Sequence, residues 1–258
     1  GFILYMIRDS LKYFGKWKEV TFIEFNSKTD LSALRFCERN LTDDLPPLMI
    51  DSSGLVLKTN NMFWLRNVKI NGNVRVTLSM QWNKEVNGAE ILINSQSVNP
   101  PLFWWCPPGF ACQFGGWKGN WCFISRNDTV QPINAAQSVA CTFVPGKWYT
   151  FTFQRVNEKL SLFVDGKYLY SQTELLPLRG TNLNGIAVRS WGDIRIKSIR
   201  CERMSPPEKN SPLISGDALV AAGNVKHGLH QYLSIAEDFP KGQVQEKALV
   251  KAYLAALL

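Results

Sequence analysis

From Trp17 to about Arg203 the apolar residues recur with period two, and no helical period interrupts them. Val74, Val76, Leu78, Met80 and Trp82 alternate with Arg75, Thr77, Ser79 and Gln81, the pattern of a strand with one face in a core and one face in water. The same reading predicts strands at 20–25, 54–58, 89–94, 110–114, 121–126, 147–155, 159–164, 167–171, 185–190 and 193–200. Asp165-Gly166, set between two such runs, predicts a two-residue hairpin turn. Gly72, Gly88, Gly115-Gly116, Pro145-Gly146 and Gly192 punctuate the others. So many short antiparallel strands within one stretch imply a β-sandwich or barrel.

Composition agrees. Nine Trp and fifteen Phe suit strands with large side chains to bury or display, and 45% apolar residues exclude global disorder. No apolar run is long enough to cross a bilayer. The formal charge of +8 is uneven. Residues 1–212 hold 25 Lys/Arg against 17 Asp/Glu, whereas residues 213–258 hold 4 of each, so composition changes near residue 210. The basic residues stand singly along strands, apart from Arg195, Lys197, Arg200 and Arg203, and read as a solvated face. Nucleic acid is not the expected partner.

Six cysteines, Cys37, Cys106, Cys112, Cys122, Cys141 and Cys201, form no Cys-x-x-Cys pair. The spacing offers no structural zinc site, and Cys112 and Cys122 sit in apolar strand patterns as buried thiols. The two histidines, His227 and His230, both follow the β-rich stretch, so a Ser-His-Asp or Cys-His arrangement within it is excluded. Three residues apart on a predicted helix, they read as surface residues. Neither a cofactor nor a metal is expected.

The segments Gly146-Lys-Trp-Tyr-Thr-Phe-Thr-Phe-Gln-Arg155, Leu160-Ser-Leu-Phe-Val-Asp-Gly166 and Ile186-Ala-Val-Arg-Ser-Trp-Gly-Asp-Ile-Arg-Ile196 resemble the second half of a concanavalin A-like lectin/glucanase or laminin-G-type sandwich. The resemblance covers residues 17–203. It implies a jelly-roll sandwich of two large curved antiparallel sheets, with a concave face that often holds sugars.

Beyond a linker at 204–212, residues 213–258 change to helical spacing. Gly223-Asn-Val-Lys-His-Gly-Leu-His-Gln-Tyr232, closed by Pro240, is similar to a tetratricopeptide repeat, with Gly228 in place of the usual alanine. Residues 244–258 read as the first helix of a second unit, and further repeats are expected to follow. A generic helical hairpin is the alternative. Residues 1–16 open with an apolar run, Gly1 to Ile7, which reads either as the tail of a transmembrane helix or as a short amphipathic helix. This order of segments resembles the region that follows the membrane anchor in certain large bacterial serine/threonine kinases. The resemblance implies an upstream kinase domain and an extracytoplasmic location; no kinase motif occurs in these residues.

Laminarinase-type hydrolases on such a sandwich need carboxylates two and four residues apart on one strand face. Glu90-Ile-Leu-Ile-Asn94 supplies Glu90 but places Leu92 and Asn94 where carboxylates are required. No catalytic residue is expected, and Glu90 either accepts sugar hydroxyls or faces solvent. Trp104, Trp105, Trp117 and Trp121, in glycine- and proline-rich chain, are the better binding candidates, because indole faces stack on pyranose rings. The alternative is that they plug one end of the sandwich. Arg189, with Glu90, completes the candidate set. The expected function is non-catalytic binding of a glycan or envelope ligand by a membrane-anchored signalling protein, with a protein partner on the helices. A divergent glycoside hydrolase and a purely structural module are the alternatives.

Overall fold

The computed structural model describes residues 16–36, 48–96, 108–127, 138–180, 182–204 and 211–258, and fifteen strands lie among the described residues. In chain order they are β1 (Trp17–Glu24), β2 (Leu34–Phe36), β3 (Leu48–Asp51), β4 (Gly54–Leu57), β5 (Asn61–Leu65), β6 (Val74–Trp82), β7 (Ala89–Gln96) and β8 (Gly109–Gly115). A single helical turn, Gly116–Gly119, precedes β9 (Trp121–Asn127). Then come β10 (Ser138–Ala140), β11 (Tyr149–Val156), β12 (Lys159–Val164), β13 (Lys167–Thr173), β14 (Leu183–Ser190) and β15 (Ile194–Met204). Three helices follow, α1 (Ile214–Ala221), α2 (Val225–Asp238) and α3 (Gln243–Ala256). Among the described residues, no helix is long and apolar enough to cross a membrane.

The strands pair antiparallel into two sheets. The first runs β13-β12-β11-β6-β15-β4-β3, with β1 also on β15; the second runs β10-β9-β8-β7-β14-β5-β2. Inward positions of β6 are fully buried while outward ones are half-exposed, as the alternation requires. They meet Phe151 and Phe153 of β11 and the inward faces of β7 and β8 in one aromatic-rich core. There Trp82 stacks on Phe143 at 5.1 Å, and Phe114 meets Phe151 at 4.3 Å between ring centroids. The β12–β13 hairpin turns at Asp165 and Gly166, whose φ values of +50° and +74° are those of the tight turn expected there. The protein is thus a mainly β, concanavalin A-like antiparallel sandwich with a small C-terminal helical part.

The chain divides into two compact units. The larger is built from 19–173 and 182–203; the smaller joins 174–181 to 204–258 and takes in residues up to 18. The segment 174–181, inside the stretch read as sandwich from the sequence, therefore belongs with the helices. Leu176 packs on the helical core of Val220, Tyr232, Ile235 and Ala252. Lys251, only 2% exposed, donates to the Leu175 carbonyl and pairs with Asp217 at 3.0 Å. Gly228 is explained by close helix approach: a Cβ there would strike Val220 and lie 3.2 Å from the Gly216 carbonyl. At Gly216 a Cβ would come within 2.6 Å of the Tyr232 ring. These two glycines let α1 and α2 touch. Residues 205–210 of the expected linker, and the apolar run at 1–7, lie outside the described residues.

Candidate functional site

Glu90 and Arg189 sit opposite one another on β7 and β14. The expectation that Glu90 either faces solvent or reaches sugar hydroxyls is corrected: both residues are buried, at 4% and 3% exposure. Arg189 donates to Glu90 Oε2 through Nε at 2.8 Å and again through Nη2. The guanidinium also lies 4.5 Å from the Trp191 ring. Burial lifts the Glu90 carboxyl above the ordinary carboxylate value, and the Arg189 charge pulls the other way. The reason for burial is local: nearly every residue of β7, on both faces, is buried. Beside the pair, Leu92 packs with Met62, Trp64, Ala111 and Ala187. Asn94, at φ +45°, breaks the strand alternation and turns its amide to the Ile70 carbonyl and to Arg155 of β11. Glu90, Leu92 and Asn94 therefore do not form a row on one open face.

Of the four tryptophans, Trp104 and Trp105 lie outside the described residues, as does the side chain of Trp117. Trp121, at the start of β9, is 41% exposed, so one ring is open to solvent. Cys112, Cys122, Cys141 and Cys201 are free thiols, and burial pushes Cys112 and Cys201 well above the ordinary thiol value. His227 and His230 are exposed on α2.

The large cavity lies elsewhere, on the outward face of the first sheet. It is an open groove of about 670 Å³ floored by β15, β6 and β11. Strand register builds its central row. Arg200 pairs with Thr77, Thr77 with Thr152, and Thr152 with Phe163. The Thr77 and Thr152 hydroxyls are 3.2 Å apart, and Phe22 of β1 covers Arg200 at 4.8 Å. An aromatic ring thus stands at each end of a row of short hydroxyls. One neighbouring row carries Ser198, Ser79 and Thr150; the other carries Glu202, Arg75 and Gln154. Arg75 grips Glu202 through two hydrogen bonds of 2.6 Å, which fixes both side chains and consumes the carboxylate. Five adjacent strands at a spacing of about 4.8 Å make the groove roughly 19 Å across.

The sequence shows these residues as the polar half of the β6 and β11 alternation, but alternation alone assigns them to solvent. What distinguishes them is chemistry: the middle of the floor is made of Thr77, Ser79, Thr150, Thr152 and Ser198, whose short side chains leave it low between the longer Arg75, Gln154 and Arg200. Phe22 and Phe163 are brought to its two ends only by strand order, β1 and β12 lying on opposite sides of the β15-β6-β11 floor. Among the described residues, no three His, Cys, Asp or Glu side chains converge as cation ligands. A smaller crevice of about 60 Å³ lies at one end of the second sheet, bordered by Arg35, Trp64, Arg66 and Lys69.

No protein-family model matches the chain, and no curated protein matches it. Solved structures do. The potassium-bound carbohydrate recognition domain of Emp46p aligns with a TM-score of 0.53 at 12% identity, over 72% of this chain and 98% of that one. The exoplasmic/lumenal domain of VIP36, in its Ca2+/Man3GlcNAc-bound form, aligns with a TM-score of 0.55 at 10% identity, over 78% and 95%. The apo Crh5 transglycosylase aligns with a TM-score of 0.51 at 11% identity, over 72% and 85%. At such identities the likeness is one of fold.

Proposed function

We propose that the sandwich is a glycan-binding module and that the groove on its first sheet is the binding surface. The observation that carries this reading is the row Arg200, Thr77, Thr152, Phe163, capped at the Arg200 end by Phe22. Sugars present hydroxyls at short intervals around a ring with apolar C–H faces. Short protein hydroxyls and the Gln154 amide donate to and accept from those hydroxyls, while Phe22 and Phe163 meet the faces. The neighbours named for carbohydrate recognition and for a sugar-bound lumenal domain support the same reading, and they support a location outside the cytoplasm. Trp104, Trp105, Trp117 and Trp121 are proposed, from their spacing in the sequence, as a second set of ligand contacts, of which Trp121 is exposed. Glu90 and Arg189 serve as an internal strut rather than as ligand contacts.

The test is a glycan array probed with the 258-residue chain and its variants. Phe163→Ala and Gln154→Ala should each lower binding about tenfold without lowering Tm. Retained binding in both, with loss in Trp121→Ala, moves the site to the tryptophan patch. Absence of any glycan signal overturns the reading.

The larger setting is also proposed: a membrane-anchored bacterial signalling protein with a kinase domain upstream and tetratricopeptide-like helices that take a protein partner. The resemblance in segment order supports the setting. The apolar residues exposed on α3, Leu249, Val250 and Tyr253, with Leu257 just after it, support the partner surface. The gene sequence upstream of Gly1 tests the anchor and the kinase directly.

A further inference from the structure

We infer that the groove takes an acidic glycan, one carrying uronate carboxylates or sulfate esters, rather than a neutral one; this rests on the groove being the glycan site. The groove lining holds three cations, Arg75, Lys197 and Arg200, against one carboxylate, Glu202. Their roles differ. Arg75 and Glu202 are spent on each other through two hydrogen bonds, and both are largely buried. That pair forms a neutral, rigid stretch of floor. Arg200 is about half exposed, with Glu19 3.3 Å away as an equally exposed partner from β1. A solvent-screened pair of this kind holds its cation weakly, so a ligand anion competes for the guanidinium at small cost. Lys197 is exposed and makes no ion pair among the described residues. The two available cations stand on β15, three residues apart and on either side of Ser198, along one edge of the groove.

An acidic sugar polymer fits this edge better than a neutral one. Its rings meet the Thr and Ser floor and the two phenylalanines, as any glycan would. Its charges then fall on the Lys197 and Arg200 side, where a neutral glycan would leave two cations without ligand contacts. Of the two kinds of polyanion that meet such an edge, the groove favours the sugar over a nucleic acid. The floor is made of hydroxyls sized for sugar hydroxyls, and the aromatic rings are separated by the full width of the groove rather than placed as a stacking ladder for successive bases.

The experiment compares an oligogalacturonate with the same oligomer fully methyl-esterified, which keeps the sugar and removes the charge. Titrations use the intact chain at low and at physiological salt. The acidic oligomer should bind at least tenfold tighter than its ester at low salt, and the preference should shrink as salt screens the contact. Lys197→Gln should lower the preference at least threefold while keeping the Tm and the affinity for the ester, and an unchanged preference in that variant overturns the charge inference. Equal binding of acid and ester, with Phe163→Ala weakening both, overturns the charge inference and leaves the glycan reading standing. Binding of neither overturns both. A single-stranded oligonucleotide that binds as tightly as the acidic oligomer, with the same dependence on Phe163, overturns the assignment in favour of nucleic acid.

Discussion

Glu90 and Arg189 carry opposite charges into a region almost without water. Their mutual hydrogen bonds recover what desolvation removes, but only while both are present. Glu90→Gln should therefore cost about 3–5 kcal/mol in urea unfolding, because buried Arg189 loses the carboxylate that faces it across the strand pair. Glu90→Gln combined with Arg189→Met should recover part of that loss, and a double variant no more stable than the single one would refute the pairing account. Asp193 offers a pH-dependent counterpart. Partial burial raises its carboxyl, but hydrogen bonds from the Thr59 hydroxyl and amide and from Lys58 outweigh burial and hold it below the ordinary aspartate value. A depressed carboxylate stabilises the fold above its unfolded-state pKa, and that contribution disappears as pH falls through the folded value. Asp193→Asn should thus lose less stability than the parent between pH 7 and about pH 3, read as the change in urea midpoint.

Single elements show what the sequence made legible and what it left out. β6 forms over the residues that alternation delimits, because it has one wet face and one dry one, and β12 over those that end at the Asp165-Gly166 hairpin signal. β5, Asn-Met-Phe-Trp-Leu, is absent from the strands that the sequence pattern predicts. Four of its five residues are buried, so no alternation marks it. Asn94 departs from the pattern for another reason: an αL residue inside a strand reverses which face it presents, and nothing in Glu90-Ile-Leu-Ile-Asn94 announces that. The groove was half legible. Its hydroxyl floor is written in β6 and β11, but its two phenylalanines lie more than a hundred residues apart in the chain, at positions 22 and 163, and meet one surface only through sheet order. At the helical crossing, Gly228→Ala gains helix propensity but drives a methyl into Val220 and the α1 backbone. The net effect should be a loss on the order of 1 kcal/mol, with faster hydrogen exchange in α1 and α2. Adding Val220→Ala should relieve the clash; unchanged exchange in the single variant would show that the helices are not in contact at this point.

At the scale of the whole molecule, the proline-rich stretch between Met204 and Leu213 is where limited proteolysis should cut first, since Pro206, Pro207 and Pro212 cannot join regular pairing. Cleavage within the sandwich loops before that stretch would argue against the two-unit organisation. The segment 174–181 adds a consequence for what happens after the cut. Because it leaves β13, packs with the helices and returns to β14, the peptide thread changes unit at residues 173–174, 181–182 and 203–204, besides 18–19 near its start. One nick at the prolines does not set the helices free; they stay docked on a strap that the sandwich still owns. On a native gel the nicked protein should migrate as one species, and separate only in denaturant. Trimming the gene at Arg203 is a different operation: it keeps the strap and discards its dock, leaving Leu176 and the Leu175 carbonyl without α3 and Lys251. The shortened chain carries a sticky seam that the 258-residue chain conceals, so a sandwich unit prepared that way should self-associate whether or not it binds sugar.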